Sequence, residues 1–234
     1  MDPSRLSEFT KYSPCDVSDA LVKLNVPGGG VLIDFTLCGG QREWVSRQHR
    51  PEQRVAALAS TVLFVRKGSP VPESAPLANI PADCHWADLS VPGTIVVIQQ
   101  PRGQKNAVCG GTIARRMWIL KLKGIMVDGR IRDAQEMPNG ELAIWYKGLS
   151  TVGAGAASTP HAVQVPLNID GTIVRPGDII LSDRLNGVVC IPKELANQVL
   201  ELLPEISMVE SRIITDIKIG KSVHETFKLH RDNH

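Results

Sequence analysis

The sequence of 234 residues lacks most of the features that would fix its surroundings at a glance. No apolar run approaches the ~18 residues of a transmembrane helix. The N-terminal MDPSRLSEFTKYSP has no apolar stretch of the kind a secretory signal carries. No Asn-x-Ser/Thr sequon is present. Charge of one sign is missing too: 26 Lys and Arg stand against 24 Asp and Glu, a formal net charge of +2. Such balance gives no ground for expecting nucleic acid, an acidic partner or a membrane surface. The five cysteines (Cys15, Cys38, Cys84, Cys109 and Cys190) include no CxxC pair, and their odd number suits neither a disulfide framework nor a structural zinc site. The six histidines include no HxH or HExxH spacing. The expectation is a soluble, cytoplasmic protein with reduced thiols. At 43% hydrophobic and 21% charged, the chain can bury a sizeable core without staples.

What is present reads as alternating helices and strands. Ser13-Pro14 opens a helix, with Ser13 as cap and Asp16 at its positive end, and Val17, Ala20, Leu21 and Leu24 recur at helical spacing. VLIDFT (31–36) and VAALASTVLFVRK (55–67) read as strands. Residues 68–92 hold five prolines and read as a surface excursion. TIVVIQQ (94–100), a polar loop (101–111), a helix (112–123) and GIMVDG (124–129) form a strand–loop–helix–strand unit, which implies a parallel crossover. Residues 132–137 suggest one or two helical turns before a turn at 138–140, and LAIWY (142–146) another strand. AVQVPLNI (162–169), a turn at Asp170-Gly171, TIVRPGDIILSD (172–183) and VVCIP (188–192) continue the β pattern. Residues 193–203 and 205–218 look helical. One mixed α/β domain without repeats is the simplest reading.

Two motifs fail on inspection. GAGAA (153–157) has the spacing of a dinucleotide fingerprint, but Ser158-Thr159-Pro160-His161 follows where a helix should run. Gly220-Lys221-Ser222 lacks the first glycine of a phosphate loop, since Thr215 stands there. The informative constellation is Gly110-Gly111, Arg132-Asp133 and Glu136. Two glycines at a helix start let backbone approach an anion, toward which the first free N–H groups point. The crossover returns Arg132 to the carboxyl end of a strand, where open α/β sheets bind ligands. If 132–137 is helical, Arg132 and Glu136 share a face and Asp133 and Glu136 are neighbours. A carboxylate pair suits a hard, mostly water-ligated ion such as Mg²⁺ or Mn²⁺. Locally the same residues also read as a solvated turn with an ion pair. Trp86, Cys109, Trp118 and His161 are candidates for packing or surface roles rather than for a pocket.

VDGRIRDAQE, CGGTIA and RPGDIILSDRLNGVVCIP together resemble the RraA-like family, named for a bacterial regulator of ribonuclease E activity and including the 4-hydroxy-4-methyl-2-oxoglutarate aldolases. STVGAGA and IQQPRGQKNAVCGG are most similar to its fungal branch. The resemblance runs from about Asp16 to Pro192. It implies an αββα sandwich with mixed sheets and C-terminal helices: a single domain of 1–234, with a core of about 14–192 and a helical extension of about 193–230. It implies trimers or dimers of trimers with the site at a subunit boundary. It also implies that Asp133 ligates Mg²⁺ or Mn²⁺, that Glu136 acts through water on the ion, and that Arg132 binds the keto oxygen of a pyruvate unit. Backbone around Gly110, Gly111 and Thr112 would take the carboxylate. A glutamate from a neighbouring chain's C-terminal helix completes such sites, and Glu205 and Glu210 are the candidates here.

One departure bears on the chemistry. Members acting as aldolases share an Asp-x20-Arg-Asp-x2-Glu/Asp pattern, and this chain has Gly111 in place of the first acid. Retro-aldol cleavage must deprotonate a hydroxyl, whereas β-keto acid decarboxylation needs only an electron sink. The expectation is therefore a metal-dependent carbon–carbon lyase, with oxaloacetate decarboxylation ahead of aldol cleavage. The rival from another class is a non-catalytic protein that inhibits a ribonuclease by covering it.

Overall fold

The structure, a computed structural model, describes residues 2–39, 54–138 and 142–231. Near the N-terminus lie α1 (Pro3–Phe9) and α2 (Pro14–Lys23). The cap expected for α2 is formed: the Ser13 hydroxyl accepts from the Asp16 N–H at 3.1 Å, and the Asp16 carboxylate accepts from the Ser13 N–H at 2.9 Å. Val17, Ala20 and Leu21 face inward. Helix α1 was not foreseen, being too short to display a period.

The strand expected over 31–36 is two strands. Asp34 adopts a left-handed backbone (φ 62°) and turns the chain between β1 (Val31–Leu32) and β2 (Thr36–Leu37). The remaining strands are β3 (Val55–Arg66), β4 (Ile95–Gln99), β5 (Gly124–Ile131), β6 (Ala143–Leu149), β7 (Ser158–Val163), β8 (Leu167–Ile169), β9 (Thr172–Val174), β10 (Ile179–Asp183) and β11 (Gly187–Ile191). Helix α3 (Gly111–Ile119) joins β4 to β5, and α4 (Ala196–Lys218) and α5 (Val223–His230) follow the last strand. The helix expected to reach 123 stops earlier, because Lys121 takes φ 63°. Residues 162–169 and 172–183 are each interrupted, at Gln164 (φ 54°) and at Gly177 (φ 84°). The predicted Asp170-Gly171 turn does join β8 to β9 as a hairpin. The two C-terminal helical segments are one helix that runs through Pro204. In the turn expected at 138–140, residues 139 and 140 lie outside the described residues.

Strand order is β1-β11-β10-β3-β4-β5-β6-β2, with β7 also on β3. The β3–β6 run is parallel, and the remaining pairings are antiparallel. Strand β3 belongs to both halves: its first residues pair with β10 and its later ones with β4 and β7. The two halves face each other across a middle core of Ala57, Val97, Met126, Trp145, Ile180, Val188 and the hairpin residues Leu167 and Ile169. Outside one half lies α3, whose Ala114 and Met117 pack on Val96, Ile98, Ile125 and Val127. Outside the other lie α2 and α4, whose Leu21, Val199 and Leu203 pack on Ile179, Leu181 and Val189. The layers are thus helix, strand, strand, helix, the mixed αββα arrangement expected. Alternation along β5 assigns its residues to the two faces: Ile125 and Val127 toward α3, Met126 toward the middle core.

Candidate active site

The loop before α3 reaches its place by acting as an extra strand. The Val108 N–H donates to the Arg130 carbonyl at 2.9 Å, the Arg132 N–H donates to the Cys109 carbonyl at 3.0 Å, and Cys109 forms a parallel bridge with Ile131. These bonds pin Gly110 and Gly111 beside the chain that leaves β5. Helix α3 has no side-chain cap, and its first internal bond runs from the Ala114 N–H to the Gly110 carbonyl at 3.0 Å. The N–H groups at its start are therefore available to an anion.

Residues 132–136 do not form the α-helical turn expected. Asp133 is left-handed (φ 54°), and only a 3₁₀ turn follows at Ala134–Glu136. An aspartate tolerates this backbone better than most residues, at a cost of ~1 kcal/mol. The ion pair formed is consequently Arg132 with Asp133 (Nε to Oδ2, 3.2 Å) rather than Arg132 with Glu136. Both partners are nearly half exposed, at 45% and 42%, so the pair adds little stability and leaves both groups open to a ligand.

The glycines are where these side chains need room. A Cβ on Gly110 would stand 3.1 Å from Asp133 Oδ2 and 3.2 Å from Arg132 Cγ. A Cβ on Gly111 would stand 2.8 Å from Glu136 Cβ and 3.2 Å from Glu136 Oε2. Glu136 thus fills the space a side chain at 111 would take. The small-residue loop after β6 serves the same centre: a Cβ on Gly153 would stand 3.0 Å from Arg132 Nη1. GAGAA is a loop that leaves room for a guanidinium. A cleft of about 490 Å³ opens beside this centre, lined by Gly111, Thr112, Arg115, Arg116, Ile119 and Glu136. Arg116 is tied to Asp88 (Nε to Oδ1, 2.6 Å). Sequence reasoning missed Arg115, although it stands one helical turn beyond Gly111, and it missed Gly153.

Gly110, Gly111, Thr112, Arg132, Asp133 and Glu136 therefore meet in three dimensions. Glu205 and Glu210 do not join them within the chain. They line a separate cavity between α2, α4 and α5, where Glu210 pairs with Arg231 at 3.2 Å. Cys109 is buried, and burial pushes its thiol up to about 12, which keeps it a packing group. Trp86 is buried edge-on against Phe64, Trp118 packs on the same core, and the His161 ring bonds the Pro76 carbonyl at 2.8 Å.

Among the described residues of the one chain no three His, Cys, Asp or Glu side chains cluster. Two exposed carboxylates beside an anion-binding helix start do suit a hard divalent ion that keeps most of its waters. Asp133 and Glu136 are the residues that would hold it.

Fold and site together describe an αββα protein whose glycine-headed helix faces an Arg-Asp-x2-Glu turn. Residues 14–190 match the model of the RraA-like family, described as Aldolase/RraA, and the chain belongs to that family. It is 30% identical over 125 residues to an uncharacterized protein of Methanocaldococcus jannaschii, covering 53% of this chain and 59% of that one. It is 31% identical over 110 residues to a putative 4-hydroxy-4-methyl-2-oxoglutarate aldolase of Halalkalibacterium halodurans, covering 47% and 51%. The chain thus spans little more than half the length of these curated relatives. A solved structure from Streptomyces coelicolor, RraAS2, described as an unusual member of the RNase ES inhibitor RraA family, shares the fold. Its TM-score is 0.71 at 22% identity, over 90% of this chain and 96% of that one.

Proposed function

We propose that the protein is a divalent-metal-dependent carbon–carbon lyase that cleaves a 2-oxo acid to a pyruvate enolate. The observation that carries this reading is the meeting of the free α3 N-terminus with Arg132, Asp133 and Glu136. The N–H groups around Gly111 and Thr112 bind the substrate carboxylate. Arg132, steadied by Asp133 and given room by Gly153, presents its guanidinium to the keto oxygen, where negative charge grows as the bond breaks. A divalent ion, when bound at Asp133 and Glu136, supplies further electrophilic stabilisation of that charge. In this reading the protein acts as a homo-oligomer, a trimer or dimer of trimers, whose site is completed by a glutamate of a neighbouring chain, with Glu205 or Glu210 as candidates.

Oxaloacetate is the leading substrate. Its C3–C4 electron pair passes into the enolate as CO₂ departs, no hydroxyl need be deprotonated, and water returns a proton to C3. Cleavage of 4-hydroxy-4-methyl-2-oxoglutarate is the second reading, favoured by the position of Glu136. Its carboxylate stands where a side chain at Gly111 would lie, and so can serve as the base a retro-aldol step needs. The relative from H. halodurans bears the name of that activity. The deciding experiment measures pyruvate release from both acids with Mg²⁺ or Mn²⁺, with and without chelator. Faster release from oxaloacetate supports the first reading and faster release from the hydroxy acid the second. Release from neither would remove the lyase reading and leave the ribonuclease-inhibitor alternative.

A further inference from the structure

On the opposite face of the same sheet edge lies a second cavity, of about 290 Å³, which shares no lining residue with the cleft beside α3. Strands β4, β5 and β6 all point their carboxyl ends at it, the edge where open α/β sheets take ligands. Its charged lining is Arg102, Lys105, Asp128, Arg130 and Lys147. Asp128 and Lys147 follow Met126 and Trp145 by two residues on their strands, so they share the middle-core face rather than the α3 face.

The charges do not cancel. Lys147 is largely buried and pairs with Asp128 at 2.8 Å and with Asp170 of the β8–β9 turn, and Asp170 also pairs with Arg102. Those two cations and two carboxylates balance. Arg130 and Lys105 are left without a carboxylate partner among the described residues, an excess of two positive charges on one small cavity. Arg130 is also held in place. Its backbone N–H donates to Gln100 Oε1 at 2.9 Å, and the buried Gln100 is itself fixed through Nε2 to the Asn106 carbonyl at 2.7 Å. One guanidinium nitrogen, Nη1, donates to the Leu149 carbonyl at 2.9 Å. The guanidinium lies across Gly148, where a Cβ would come within 2.7 Å of Nη1. Anchoring by one nitrogen leaves the rest of the fork of donors ordered and free.

We propose that this cavity binds a small dianion carrying a phosphate group, with Arg130 as the fixed two-pronged contact and Lys105 as the mobile second charge. A phosphate matches the excess charge and accepts the fork in pairs. The cavity sits at the small end of ligand sites, which restricts the occupant to inorganic phosphate or a phosphate ester of a few carbons.

The test is titration calorimetry of the full chain with inorganic phosphate and, separately, with glycerol 3-phosphate. Saturable binding is expected in the wild type. Arg130→Met, or Lys105→Met should the first variant not fold, is expected to weaken it about ten-fold or more, the loss of a charge-assisted bond. Arg132→Ala should leave it unchanged, because the α3 cleft is a different site. Tighter binding of the ester assigns the cavity to a metabolite, and equal binding assigns it to free phosphate. The proposal is overturned by the absence of saturable binding in the wild type. It is equally overturned by wild-type affinity in both methionine variants, or by loss of binding in Arg132→Ala. The outcome does not depend on lyase activity.

Discussion

At Asp133 two demands fall on one residue: a left-handed backbone and a carboxylate beside Arg132. Two substitutions separate them. Asp133→Asn keeps a residue type that tolerates φ near 54°, and Asp133→Ala does not. Both should abolish metal-stimulated pyruvate release, and only alanine should also lose ~1 kcal/mol in urea unfolding. Retention of chelator-sensitive turnover in either variant would remove Asp133 from the metal site. Arg132→Lys keeps the charge but not the planar fork, so kcat should fall by ~10²–10³. Gly111→Asp is resisted by the Glu136 side chain 2.8 Å away rather than by an unusual backbone angle. It should destabilise the fold by ~1–3 kcal/mol, and Glu136→Gly, which removes the Cβ that the new side chain meets, should recover part of that loss in the same chain. The sequence displayed each of these residues but not this packing. Gly111 stood out as a missing acid, and that another residue of the same centre occupies the vacated space is a fact of three dimensions. Arg115 was hidden because nothing local distinguishes it, and Gly153 because the GAGAA spacing shows a small-residue loop without showing that Arg132 lies against it.

Among the elements, α2 was legible because its signals are all local: a cap, a proline at the first turn and a 3.6-residue period. Ser13→Ala removes the hydroxyl bonds of the cap and keeps the backbone one, and the expected cost is ~0.5–2 kcal/mol, read as a lower urea midpoint at unchanged slope. An unchanged midpoint would mean that the Ser13 hydroxyl carries nothing. The β4–α3–β5 unit was legible too, since a parallel crossover follows from an apolar run, a helix and a second apolar run. Segment 31–36 was not. An apolar run shows that residues are buried without showing against what, and a left-handed Asp34 sends its ends to β11 and β6 on different sheet edges. The same holds for Gln164 and Gly177, single residues that break long β-like runs by backbone angle alone.

At the scale of the whole molecule, the C-terminal helices leave apolar side chains in solvent, among them Ile219 at 71% and Leu229 at 51% exposure. That surface, and a site expected to need a second chain, predict a mass well above 25.4 kDa in light scattering at micromolar concentration. A monomer would contradict it. The same architecture sets a condition on how the chain comes to be folded. Strand β3 is the element both halves share, yet its partners β4, β7 and β10 all follow it in sequence, the last more than a hundred residues on. Until they are synthesised, VAALASTVLFVR is a twelve-residue, β-branched segment carrying a single charge and no partner. Such segments are prone to associate with one another. The strand that unites the finished sandwich is thus a hazard while the chain is being made, and non-local closure makes its maturation slow. A charged substitution at a half-buried β3 position such as Val65 would trade native stability for yield of soluble chain during synthesis.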